Sequence, residues 1–435
     1  MVSMPHWPKP IGLAPADLVC DMIPGRMRQL LDRLGNPEKK LPPVIHIAGT
    51  NGKGSTISFI RYILNSAGLK THIYTSPHLV EFNERVVLAG KRISDQYLHE
   101  VIEICREASE GIPVTFFEGT TAAILLAFSK VDADIVLVET GVGGRLDATN
   151  VVHPILNIIT SISLEHTEAL GNTVELIAGE KAGIMKENVT CVIAPQDQES
   201  IMNVLEYHAI KKNVPLYRGG IDWFCERKGD SMLFKSSVDE LLFPLPSLRG
   251  EHQIINAGNA IAACSILSGK FGYNIDYENI VQGLKEAYWP ARLEKITTGF
   301  LSKMVPQLWD LFLDGAHNPA GGEMLSRWIQ NNELGDLYII IGMTREKDSA
   351  VFLNYLKPYI KFLSSVCIKS EPRAQTAAEL LQTALSLGIK AVAAKTLADA
   401  ISKILEVGDC NRKSTILICG SLYLAGDVLL ENSME

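Results

Sequence analysis

Eight consecutive residues, Gly49-Thr50-Asn51-Gly52-Lys53-Gly54-Ser55-Thr56, have the types and order that could hold a triphosphate. Glycines let backbone N–H groups curl around phosphate oxygens. The N-terminus of a following helix adds partial positive charge, and Lys53 neutralises the β- and γ-phosphates. Ser55 or Thr56 offers a hydroxyl to Mg²⁺. The spacing departs from G-x-x-x-x-G-K-[ST], because Gly54 separates Lys53 from Ser55. A turn with a solvated lysine is the competing reading; an apolar strand before the loop and a helix after it weigh against that. A dinucleotide site fits less well, since the glycine spacing differs and a basic residue sits inside the loop.

A second chemical signal is the segment Asp134-Ile135-Val136-Leu137-Val138-Glu139, an apolar run ending in an acid, followed by Thr140-Gly141-Val142-Gly143-Gly144-Arg145. An acid at a strand end beside a phosphate loop helps hold Mg²⁺. One carboxylate and one hydroxyl suffice, because this ion keeps several waters. The plain alternative is a solvated strand-end acid. His46 lies inside a strand and reads as a satisfied core residue. His78 reads as part of a loop and His252 as orienting one. Ala316-His317-Asn318-Pro319 reads, on residues alone, as a turn with a capping histidine.

Elements must position these residues. Short β-like apolar runs at 44–48, 71–74, 135–138 and 155–160 alternate with helical stretches at 57–67 and 120–128. That alternation predicts an α/β fold with a largely parallel sheet. Residues 213–247 carry short apolar runs between turn residues and predict a small antiparallel patch. Helix returns at 254–267. Near 290–299 the alternation restarts, with strands expected at 311–313, 337–341, 365–368, 391–393 and 416–419. The expected domains are 1–294, a P-loop mononucleotide-binding domain with a mostly parallel sheet, and 295–435, a Rossmann-like α/β domain.

Composition agrees. At roughly 150 residues per domain, the 435 residues predict two or three domains. The apolar share of 47% and charged share of 21% exclude general disorder. With 41 basic and 49 acidic residues the net charge is −8, which argues against nucleic acid or an anionic membrane as partner. No apolar run reaches the ~18 residues of a membrane span, and residues 1–10 do not read as a signal peptide. The eight cysteines contain no Cys-x-x-Cys, so neither disulfides nor a zinc site is expected, and a cytoplasmic location is.

Further motifs carry a resemblance. They are Tyr74-Thr75-Ser76-Pro77-His78-Leu79, Thr115-Phe116-Phe117-Glu118, Arg145-Leu146-Asp147-Ala148-Thr149-Asn150, Glu165-His166-Thr167, Glu180-Lys181-Ala182-Gly183, Asn256-Ala257, Arg292-Leu293 and Asp314-Gly315-Ala316-His317-Asn318-Pro319. In this order, with the phosphate loop, the chain resembles the folylpolyglutamate synthase family of the Mur ligase superfamily, and within it the bacterial bifunctional dihydrofolate synthase/folylpolyglutamate synthases. The resemblance spans about 21–421. Its departures are small: Glu165 stands where Asp is expected, Thr140 and Val142 replace commoner residues, and Asp21-Met22-Ile23 matches weakly.

The resemblance implies an ATP-dependent ligase that joins L-glutamate to dihydropteroate, and further glutamates to reduced folates, through an acyl phosphate. It implies that Asn51, Gly52, Lys53, Gly54 and Ser55 bind ATP, with Asn256, Arg292 and Asp314. Ser76, Glu139 and His166 match magnesium positions, two ions being expected. Lys181 matches a lysine carbamylated in the family. Histidine is an unusual magnesium ligand on hardness grounds, so His166 rests on resemblance alone. Lys53, Lys181, Asp314 and His317 are the expected catalytic set, His317 supporting its loop. Asp21, Met22 and Ile23, Thr115, Phe116, Phe117 and Glu118, and Leu146, Asp147 and Ala148 match pterin-substrate contacts. Phe116 and Phe117 could stack on a flat pterin ring, with core packing as the plain alternative; in a strand they point to opposite sides, so one of them is expected to be core. A monomer with small-molecule partners only is expected. The alternatives are a monofunctional folylpolyglutamate synthase, a Mur-type peptidoglycan ligase, for which too few residues precede the phosphate loop, and a non-catalytic nucleotide switch.

Overall fold

Val44–Ala48 is apolar at four of five positions and buried at all five. Such an unbroken run marks a strand covered on both faces. It forms β1, the centre of an eight-stranded sheet. The other strands are β2 (Thr71–Tyr74), β3 (Val86–Leu88), β4 (Lys91–Arg92), β5 (Ile135–Glu139), β6 (Pro154–Ile159), β7 (Cys191–Ile193) and β8 (Leu216–Arg218). The computed structural model describes residues 24–434. The sheet order is β4-β3-β2-β5-β1-β6-β7-β8. Neighbours pair in parallel from β2 to β8, and β3 and β4 add an antiparallel edge. Because β1 lies between β5 and β6, the chain after β1 emerges at a reversal of strand order, where open α/β sheets bind ligands.

Four helices position the site in this part of the chain: α1 (Lys53–Ser66), α2 (Phe116–Phe128), α3 (Val174–Lys181) and α4 (His252–Phe271). The reading of Phe116 and Phe117 as strand residues is corrected. Both open α2, because Thr115 and Glu118 form a capping box. The Thr115 hydroxyl accepts from Glu118 N at 3.2 Å, and the Glu118 carboxylate accepts from Thr115 N at 2.7 Å. A cap of this kind stabilises a helix by about 1 kcal/mol. The antiparallel patch forms as β9 (Trp223–Lys228), β10 (Ser231–Ser236) and β11 (Glu240–Pro244).

The chain divides into two compact units, one holding these eleven strands and the other holding His78–Phe82, Leu248–His252 and the chain from Trp289 onward. The second has its own six-stranded sheet: β12 (Glu294–Lys295), β13 (Trp309–Leu313), β14 (Asp336–Ile341), β15 (Ile360–Ser365), β16 (Ala391–Ala393) and β17 (Ser414–Cys419). Its order is β12-β13-β17-β14-β15-β16, parallel except for β12. The strand expected at 365–368 lies earlier, at β15. Val366 and Ile368 are buried, but they pack on the core just past the strand, while polar Lys361, Ser364 and Ser365 occupy the strand itself. Among the described residues no helix is long and apolar enough to cross a membrane.

Candidate active site

The loop leaving β1 needs glycine at two places. Gly49 has φ +153, and a Cβ there would lie 1.8 Å from Thr160 Oγ1. Gly52 has φ +86, and a Cβ there would lie 2.3 Å from Asn256 Oδ1. The turn is therefore pressed between the end of β6 and α4. Residues beyond β6 hold it from behind. Thr160 Oγ1 donates to Asn51 O at 2.7 Å, and Thr50 Oγ1 donates to Ser163 O at 3.1 Å. Gly54 and Ser55 follow in the first turn of α1, whose N-terminus faces the same loop.

Two lysines converge on this turn. Lys53 Nζ donates to Gly49 O and Thr50 O, both at 3.1 Å, and stands 3.8 Å from Glu139 Oε1. Lys181, buried at the end of α3, donates to Gly49 O at 2.8 Å. Burial, and then repulsion from Lys53, pull the Lys181 amine down to about 7, against the pull of Glu165 and Asp147. Glu139, at the end of β5, accepts from Ser76 N at 3.2 Å through its other oxygen. Asn256 is held by Gln253, whose Oε1 accepts from Asn256 Nδ2 at 2.9 Å. Thus Asn51, Gly52, Lys53, Ser76, Glu139, Lys181 and Asn256 gather around one backbone turn.

The donor set fits magnesium. Ser76 and Glu139 supply hard oxygens, which this ion prefers. Among the described residues no three His, Cys, Asp or Glu side chains cluster as a cage. An ion here would draw its remaining ligands from phosphate and water. His166 precedes a short helix with left-handed backbone, φ +51, a conformation that costs a non-glycine residue energy and clusters at functional sites.

The expected pterin segments are placed unequally. Asp21, Met22 and Ile23 lie outside the described residues. Thr115 and Glu118 are committed to the α2 cap, and Glu118 also faces Arg26 at 3.5 Å. Phe117 stacks on Tyr74 with centroids 6.2 Å apart, and a Cβ on Gly141 would meet its ring at 2.5 Å. Leu146 is half-buried; Asp147 and Ala148 are buried. The Asp147 carboxylate accepts from Gly141 N, Val142 N and Thr149 N at 2.8–2.9 Å and from Thr149 Oγ1 at 2.5 Å. Burial raises its pKa, and these donors oppose that.

In the second unit, Asp314 directly follows β13 and is 2% exposed. Its two oxygens accept from Leu293 N and Ala316 N, each at 2.8 Å. Burial raises its pKa, while the Arg292 charge is the main opposing influence. Ala291 and Leu293 flank Arg292 with φ +56 and +46, so this short segment stores backbone strain. His317 is not the cap: its Nδ1 pairs with Gly315 O at 2.8 Å, and Asn318 caps the helix Pro319–Gln330. Sequence reading missed Thr160, Ser163, Gln253 and Arg26. Gln253 alone carried a signal, standing three residues before Asn256 on one helix face.

A strand, a phosphate-type turn and a strand-end acid in a switched parallel sheet, with a second parallel-sheet unit following, are features of a nucleotide-binding α/β protein, and family similarity places the chain in the Mur ligase class. Its middle-domain family matches residues 47–264, and the family described as dihydrofolate synthetase, C-terminal domain, matches 297–431. The chain is 34% identical to the dihydrofolate synthase/folylpolyglutamate synthase of Bacillus subtilis, covering 93% of each. It superposes on Escherichia coli FolC in complex with DHPP and ADP with a TM-score of 0.83 at 29% identity, covering 97% of this chain and 98% of that one. A bifunctional folylpolyglutamate synthase/dihydrofolate synthase with Mn, AMPPNP and L-glutamate bound gives 0.79 at 27% identity, covering 98% and 99%. The chain belongs to the dihydrofolate synthase/folylpolyglutamate synthase family.

Proposed function

We propose that the chain is an ATP-dependent ligase that joins L-glutamate to dihydropteroate and adds further glutamates to reduced folates. The observation that carries this reading is the convergence of Lys53, Lys181 and the Glu139–Ser76 pair on the turn at Gly49. A carboxylate does not form an amide with an amine unaided at neutral pH. The acid substrate's carboxylate oxygen attacks the γ-phosphorus of ATP, ADP leaves, and an acyl phosphate forms. The glutamate amine then attacks the acyl carbon, phosphate leaves and the amine's proton is lost. The first step brings an anion to a polyanion, so charge must be neutralised before contact.

Lys53 supplies that neutralisation by leaving the carbonyls of its own loop for phosphate oxygens. Magnesium, bound by Ser76 and Glu139, would supply electrostatic clamping of the phosphates. A second ion near His166 would use a carbamylated Lys181. The low pKa of Lys181 supports that modification, because the neutral amine is the form that adds to CO₂. An N–C bond forms, a proton leaves and a carbamate oxygen replaces a cation. Asn51, Gly54, Ser55, Asn256, Arg292 and Asp314 are proposed nucleotide contacts, with His317 supporting the Asp314 loop. Phe116, Leu146 and Ala148 are the proposed pterin contacts. A cytoplasmic location and no nucleic-acid or membrane partner, supported by the scattered cysteines and the net charge of −8, complete the reading together with a monomeric state.

The test is ADP release with dihydropteroate and glutamate supplied together and singly. ADP should appear at full rate only with both, and a glutamylated product of matching amount should form. Equal ADP release without glutamate contradicts the reading.

A further inference from the structure

Asp147 belongs to a hydrogen-bond chain that begins inside the sheet. Thr149 Oγ1 donates to Asp147 Oδ1 at 2.5 Å, and His46 Nε2 lies 2.9 Å from the same hydroxyl oxygen. The hydroxyl has one proton, and it is spent on the carboxylate. Thr149 must therefore accept from His46, which fixes His46 as the tautomer protonated at Nε2. Its Nδ1 has no hydrogen-bond partner, so nothing competes for the other tautomer. His46 is fully buried on β1, three residues before Gly49.

At the other end, Asp147 Oδ2 takes the amides of Gly141 and Val142, two and three residues past Glu139. An ionised carboxylate offers about four lone-pair sites, and Asp147 uses four. The same loop is tied to α3 next to Lys181, since Arg145 N donates to Glu180 O at 2.8 Å.

We propose that His46 and Thr149 are positioning residues which, through the Asp147 carboxylate, lock the loop after Glu139 to the strand that carries the phosphate turn, making it a rigid wall for the pterin end of the acid substrate. This rests on the functional reading above, and it gives Asp147 a role exerted through the loop amides. Thr149→Val removes the hydroxyl at nearly constant volume. Thr149→Ser keeps the hydroxyl, His46→Leu removes the donor and His46→Gln keeps a donor.

The experiment is steady-state ligation by the full-length chain, with KM for dihydropteroate and for ATP and kcat measured separately. Thr149→Val should raise KM for dihydropteroate about tenfold, the scale of one lost hydrogen bond to a charged group. KM for ATP should stay within about twofold, and Thr149→Ser should return dihydropteroate KM to within about threefold of wild type. If Thr149→Val does not fold, His46→Leu against His46→Gln should give the same split. Wild-type KM values in both Thr149→Val and His46→Leu overturn the proposal. So does an equal rise in both KM values with no rescue by serine or glutamine. Absence of dihydropteroate turnover by the wild-type chain is a different result, which overturns the functional reading itself.

Discussion

The turn after β1 and the corner after β13 are both strand ends that carry charge, and they are built in opposite ways. At Gly49 a backbone carbonyl gathers two ammonium groups, and glycine supplies the left-handed geometry. At Asp314 a buried carboxylate gathers two backbone amides, and the left-handed residues beside Arg292 are Ala291 and Leu293. Lysine charge sits on a flexible stem and can exchange loop carbonyls for a ligand. The Asp314 charge is fixed where it stands. The first region should therefore tolerate loss of its charge structurally but not chemically, and the second should lose structure first.

The largest effect tests the first half of that contrast. Lys53→Ala should reduce ligation at least 10²–10³-fold, roughly the worth of one preorganised electrostatic donor. Its thermal midpoint should stay near wild type. Near-normal turnover would break the comparison. Asp314→Ala should do the reverse first. It leaves two buried amides without acceptors, at about 1–3 kcal/mol each, so urea unfolding of the second unit should shift to lower denaturant. Unchanged unfolding would show that the corner is not held by this carboxylate.

A smaller effect sharpens the comparison, since each region holds one histidine kept from charging, His46 fully buried and His252 half-buried. Burial pulls both His46 and His252 down to about 3 from 6.5, helped by Lys186 for the first and Arg292 for the second. Between those values the unfolded chain binds protons that the folded chain refuses. Stability should then be full above about pH 6.5 and decline as pH falls toward 3. His46→Gln should make this decline shallower in denaturation series at pH 7 and pH 5. An unchanged slope would mean that His46 does not contribute.

Much of the fold was legible because its strands are continuous apolar runs bounded by turn residues. The runs at 44–48, 71–74 and 391–393 fall on β1, β2 and β16 at the residue, and the antiparallel patch falls within 213–247. β15 was displaced because a parallel strand can bury serines whose partners come from elsewhere, as Ser365 Oγ does by donating to Ala377 O. The Thr-x-x-Glu pattern at 115–118 was present, but a double phenylalanine inside it suggested strand alternation. The phosphate turn, Glu139 and Lys181 were legible as motifs. Their supports were not: Thr160, Ser163 and Gln253 act across the fold and belong to no short pattern. Nor could the sequence tell that Asp147 accepts four hydrogen bonds from its own loop, since that depends on where four donors point.

The most direct test of the central claim uses dihydropteroate with ¹⁸O in its carboxylate, together with ATP, glutamate and Mg²⁺. Attack of that carboxylate on the γ-phosphorus predicts one ¹⁸O in each inorganic phosphate released per amide formed, read by mass spectrometry. Amide formation with unlabelled phosphate would contradict the account.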